Sequence, residues 1–170
     1  MPAGARLLRW IGLVELVAAV AAFLAVIAVV AWNVTLRYVF NSSLIWFEEV
    51  SLLCLNVAVF LGASVLHKAQ ADVAISVVVD RLPAAARRGA AAATHAAALA
   101  FFAVLAAQCI ALWPIQRSST TLMIEIGRYW YTLPMLAASA SSAVTSAWYL
   151  WRTLAGASAL PVIRLPDYDQ

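Results

Sequence analysis

Charge is what this chain has least of. Of its 170 residues 11% are charged, whereas 65% are hydrophobic. A soluble domain of this length could not cover so much apolar side chain with polar surface, so lipid must be part of the solvent. Cysteine is scarce as well. Cys54 and Cys109 are the only two, each deep in an apolar run, which excludes a disulfide framework or metal-type spacing and leaves them as small packing residues. Histidine is limited to His67 and His95. No Gly-rich phosphate loop, no nucleophile–base set and no cluster of metal ligands is present, so the sequence predicts no enzyme and no cofactor. The net charge of +3 is spread over the joints between apolar stretches. It reads as membrane topology rather than nucleic-acid affinity.

What is there is long apolar runs, giving a mean hydropathy of +0.91. Crossing a hydrocarbon core of ~30 Å takes about 20 helical residues. Four stretches meet that length, and no alternation of apolar and polar residues suggests a barrel. The fold class expected is an all-α integral membrane protein, one domain over residues 1–170, with about four transmembrane helices at 11–36, 46–67, 92–114 and 129–151. Aromatic belts mark the ends: Trp10 and Trp32 on the first span, Tyr131 and Trp148 on the fourth. Arg6 and Arg9 before the first run resemble the start of a signal peptide. The run is too long for that and lacks a convincing cleavage site, so it is expected to remain as the first helix.

Basic residues set the expected orientation. Arg6, Arg9, Lys68, Arg81, Arg87, Arg88, Arg152 and Arg164 fall on one side of four spans, and Arg37, Arg117 and Arg128 on the other. Eight against three places both termini in the cytoplasm. Between the second and third spans, residues 72–82 put Asp72, Ser76 and Asp80 on one helical stripe and valines on the rest. Too short to span, this segment is expected to lie as an amphipathic helix in the inner interface. Small residues at four-residue spacing, Ala58 with Gly62 and Ser139 with Ala143, are expected to let helices approach closely. Lys68, beside His67 at the end of a span, is expected to snorkel to the interface. Glu15, Glu48, Glu49, Lys68, Arg117 and Arg128 all lie toward span ends, and no polar centre is expected at mid-membrane.

The most informative segment runs from Arg37 to Glu49, RYVFNSSLIWFEE. Asn41-Ser42-Ser43 is a turn suited to capping the next helix. Tyr38, Phe40, Trp46 and Phe47 are interfacial aromatics. Glu48 and Glu49 enter the second span, where they either sit wet at the membrane edge, favoured by the helix N-terminus, or pair with Arg37 or a partner subunit.

With Leu61-Gly62-Ala63, Asp80-Arg81-Leu82-Pro83, Leu122-x-Ile124 and Leu133-Pro134 following in order, this segment resembles the small membrane subunit, DctQ type, of tripartite ATP-independent periplasmic (TRAP) transporters. The matches cover residues 32–136. Members often carry an Arg shortly after the paired glutamates, where this chain has Ser51-Leu52-Leu53. A proline commonly follows Leu-x-Ile, where Glu125 stands here. The resemblance implies an accessory subunit of an ion-gradient-driven transporter in the bacterial inner membrane. It would brace a large membrane subunit that holds the substrate, usually an organic acid delivered by a periplasmic solute-binding protein. Arg37, Asn41, Trp46, Glu48, Glu49 and Gly62 are the candidate partner-contact or structural residues. Two alternatives are a haem-binding membrane anchor through His67 and His95, and a small proton-coupled exporter with Glu15 as carrier. Glu15 lies only about 7.5 Å past Trp10 at a rise of ~1.5 Å per residue, shallow for a carrier.

Overall fold

A run of 37 residues without an interior proline, Ala3–Val39, forms the first helix, α1. In the computed structural model, which describes residues 3–70 and 83–156, three more helices follow. They are α2 at Phe47–Ala69, α3 at Ala84–Arg117 and α4 at Tyr129–Leu154. The described residues contain no strand beyond one isolated antiparallel bridge, Thr120 with Gly127. The expected amphipathic helix at 72–82 lies outside the described residues.

Three helices are long and apolar enough to cross a membrane, over Arg6–Val39, Phe47–Ala69 and Ala86–Arg117. α4 is long enough but more polar, and its burial explains why. Thr132, Ala138, Ser139, Ser142, Thr145, Ser146 and Tyr149 recur every three or four residues and are all buried. That spacing is one face of a helix, and it faces protein. α4 packs on both α2 and α3, while α1 packs chiefly on α2. Outward surfaces are apolar, with Phe23 and Leu24 of α1 and Phe101 and Val104 of α3 exposed. Small hydroxyl residues inside and large apolar ones outside is an arrangement for lipid, where close backbone approach and interhelical hydrogen bonds replace the hydrophobic drive.

The chain ends of the helices agree with an up-and-down course. Asn33 of α1 accepts from the Leu44 N–H at 3.1 Å just before α2, and Trp113 of α3 meets the Tyr129 ring that opens α4. α2 and α4 therefore run parallel, and their two ends are tied alike. Tyr131 OH donates to the Glu49 carbonyl at 2.9 Å and Tyr149 OH to the Lys68 carbonyl at 2.7 Å.

Two local expectations change. The Asn41 turn does not cap α2, whose N-cap position is Trp46 with no side-chain cap bond. Asn41 instead takes a left-handed φ of 50° and turns the chain away from α1, where the Ser42 N–H returns to the Leu36 carbonyl at 3.2 Å. Asparagine tolerates that conformation better than most residues. Gly62 has open space where a Cβ would stand, so it mediates no close approach within the chain. Ser139 does lie buried as expected.

Candidate functional site

Polar chemistry gathers at the two ends of α2. At its start, the Glu49 carboxylate reaches across to the α3–α4 connection. Oε1 accepts from the N–H groups of Leu122 and Met123, both at 2.9 Å. Oε2 accepts from Ile124 N–H at 2.9 Å. A carboxylate offers the several lone pairs that three converging donors need. The connection is braced further by its own bonds: Thr121 N–H to the Ile126 carbonyl at 2.8 Å and Arg128 N–H to the Ser119 carbonyl at 3.0 Å. The Thr121 hydroxyl accepts from Ile126 N–H at 3.2 Å. Gly127 lies so close to the Tyr129 ring that a Cβ would collide with it. The loop is thus held in one shape, and it presents Leu122 at 83% exposure and Met123 at 56%.

The other candidates at this end divide by role. Arg37 and Glu48 are exposed, and among the described residues neither Glu48 nor Glu49 pairs with Arg37. The glutamate expected to meet Arg37 spends its oxygens on backbone N–H groups instead. Trp46 is exposed as well. Asn41 and Glu49 shape the loops, whereas Arg37, Trp46 and Glu48 are left facing outward. The Leu122-x-Ile124 pair and the paired glutamates, read separately along the sequence, are two halves of one contact.

At the other end of α2, Lys68 does not snorkel. It is fully buried, with its Nζ 2.6 Å from Glu15 Oε2 of α1. The same ammonium donates to Ser64 Oγ at 2.6 Å and to Ser141 Oγ at 3.0 Å. Its three N–H donors are therefore all used. Glu15 accepts in turn from Ser64 at 2.9 Å and from Ser141 at 2.6 Å, and Ser142 Oγ donates to Ser64 Oγ at 3.0 Å. The reason burial wins over snorkelling is this complete set of partners, which stands in for the water the ammonium would otherwise need. Beside the centre, the Ser146 hydroxyl donates to the Ser142 carbonyl at 2.9 Å. The same hydroxyl lies 2.8 Å from His67 Nε2. The His67 ring packs on Phe102 and the His95 ring on Tyr149. Neither the Glu15–Lys68 pair nor its serines were expected from the sequence. The available signal was Ser64 and Lys68 at four-residue spacing, together with a lone acid in α1 that needed a partner.

The sequence model of the DctQ component of tripartite ATP-independent periplasmic transporters matches residues 26–156. The chain belongs to that family. The match takes in both halves of the Glu49 contact, as well as Lys68, Ser64 and the serines of α4, and leaves Glu15 outside it. Among curated proteins, none matches the chain. Membership makes this DctQ component the small component of a TRAP transporter, and its apolar helices accord with a place in a membrane.

Proposed function

We propose that this DctQ component braces the large transport subunit of its transporter and takes no direct part in moving substrate. The carrying observation is the Glu49 contact. One carboxylate makes a rigid, apolar-tipped loop out of a connection that would otherwise be free, and sets it beside exposed Arg37, Trp46 and Glu48. Rigid loops with apolar tips and a charged rim suit protein contact, because little ordering is left to oppose binding. In this reading Gly62, with open space before it, allows close approach by a helix of the large subunit.

The reading extends to the whole assembly. α4 is the fourth span, its hydroxyls hidden against α2 and α3, and both termini are cytoplasmic by the distribution of basic residues. The membrane is the bacterial inner membrane. A periplasmic binding protein supplies an organic acid, and the large subunit holds it.

Copurification tests this. Arg37→Ala with Glu48→Ala should lower recovery of the large subunit with this chain in detergent, and lower transport, with substrate preference unchanged. Glu49→Ala should do the same and also expose residues 118–128 to protease. A change in substrate preference in either variant would place this end on the substrate path and end the bracing role.

A further inference from the structure

Apolar packing leaves the position of α1 loosely determined. Its outward positions are almost all exposed and apolar, and lipid tails satisfy them in any rotation. Its buried positions form one stripe, Leu8, Gly12, Glu15 and Ala19. Apart from Glu15, that stripe is not unique. Ala18, Ala22 and Ala25 make a similar small-residue face further along, so α1 could slide or turn and still find a seam against α2.

Glu15 removes that freedom. Its two oxygens meet Lys68, Ser64 and Ser141 at 2.6–2.9 Å, and those partners come from α2 and α4. A slip of one turn moves the carboxylate by ~5.4 Å, beyond reach of all three. The displaced register would leave Lys68, at 0% exposure, as a buried ammonium without its counter-ion. We propose that the Glu15–Lys68 pair, with Ser64 and Ser141, is a register lock that selects a single depth and rotation of α1 against α2 and α4. Its effect is selection among otherwise similar packings. A buried ion pair of this kind is often no more stabilising than an apolar pair of the same size, whereas losing one partner is strongly unfavourable.

The test uses the full chain in lipid nanodiscs, with Cys54→Ala and Cys109→Ala to clear native thiols. Spin labels go on exposed positions of the outer helices, at Val20→Cys on α1 and Val104→Cys on α3, and the distance between them is measured by pulsed electron resonance. With the pair intact, one narrow distance is expected. In Glu15→Gln/Lys68→Met a second distance population should appear, the one set by a shift of α1 along its axis by about one helical turn, ~5 Å. The ratio of native to displaced register should fall about tenfold or more, the scale of a coupled pair. An unchanged narrow distance in that variant overturns the lock. Should the neutral double variant fail to accumulate, the exchanged pair Glu15→Lys/Lys68→Glu decides. Recovery of a folded chain with the parent distance supports the lock, and no recovery overturns it.

Discussion

At Glu125 the backbone takes a φ of 55°, in the region that side chains other than Gly, Asn and Asp rarely enter. The residue follows Ile124, whose N–H is held by Glu49, and precedes Ile126, which is bonded twice to Thr121. Fixed on both sides, it must turn left-handed. A proline there would demand a φ of about −65°, which the path of this loop does not allow. Glu125→Pro should therefore break the Glu49 contacts and open residues 118–128 to protease, whereas Glu125→Gly should leave the digestion pattern as it is. If Glu125→Pro is as resistant as the parent, the loop is not held by its backbone. Residue identity alone marked Glu125 only as a departure from the family's pattern. It did not reveal that the two glutamates differ, Glu48 facing out and Glu49 serving as a loop anchor, because that depends on a connection more than 70 residues away in sequence.

At the scale of elements, α4 shows how burial and polarity exchange roles in lipid. It is the one helix of the four not apolar enough to count as a span by composition, yet it holds the most buried side chains of any helix among the described residues. Its hydroxyls are consumed locally, as with Thr145 to the Ser141 carbonyl at 2.8 Å, or between helices, as with Ser142 to Ser64. Enlarging that face should be costly. Ser142→Leu is expected to lower stability by about 1–3 kcal/mol through overpacking. Val144→Leu, on the exposed side, should stay within about 0.5 kcal/mol. Thermal midpoints of the two variants in detergent check the contrast. Equal midpoints would mean that this face is not packed against α2 and α3.

For the whole molecule, the two tyrosine ties on α2 and α4 give a length. Tyr131 and Tyr149 lie 18 residues apart and Glu49 and Lys68 lie 19 apart, or about 27–28 Å at a rise of ~1.5 Å per residue. That is close to the ~30 Å of a hydrocarbon core, and the two ties make α2 and α4 one parallel strut of that length. With the basic residues on the Lys68 side, reporters fused after residue 70 and at the C-terminus should both be cytoplasmic, and one inserted at residue 43 periplasmic. A periplasmic C-terminal reporter would remove the fourth span.

Composition, apolar run length and the Arg37–Glu49 segment determined by themselves that this is a helical membrane protein of the DctQ family, since lipid selects for those features residue by residue along the chain. The same reading sent Lys68 to the interface and gave Glu15 no partner on another helix. Both have one cause. Whether a charge at a span end stays wet or goes inside depends on what other helices bring to it, and the partners here, Ser64, Ser141 and Glu15 for Lys68 and the Leu122–Ile124 backbone for Glu49, lie on different elements. Only the packing of α1, α2 and α4 decided that both ends of α2 would be anchored from within.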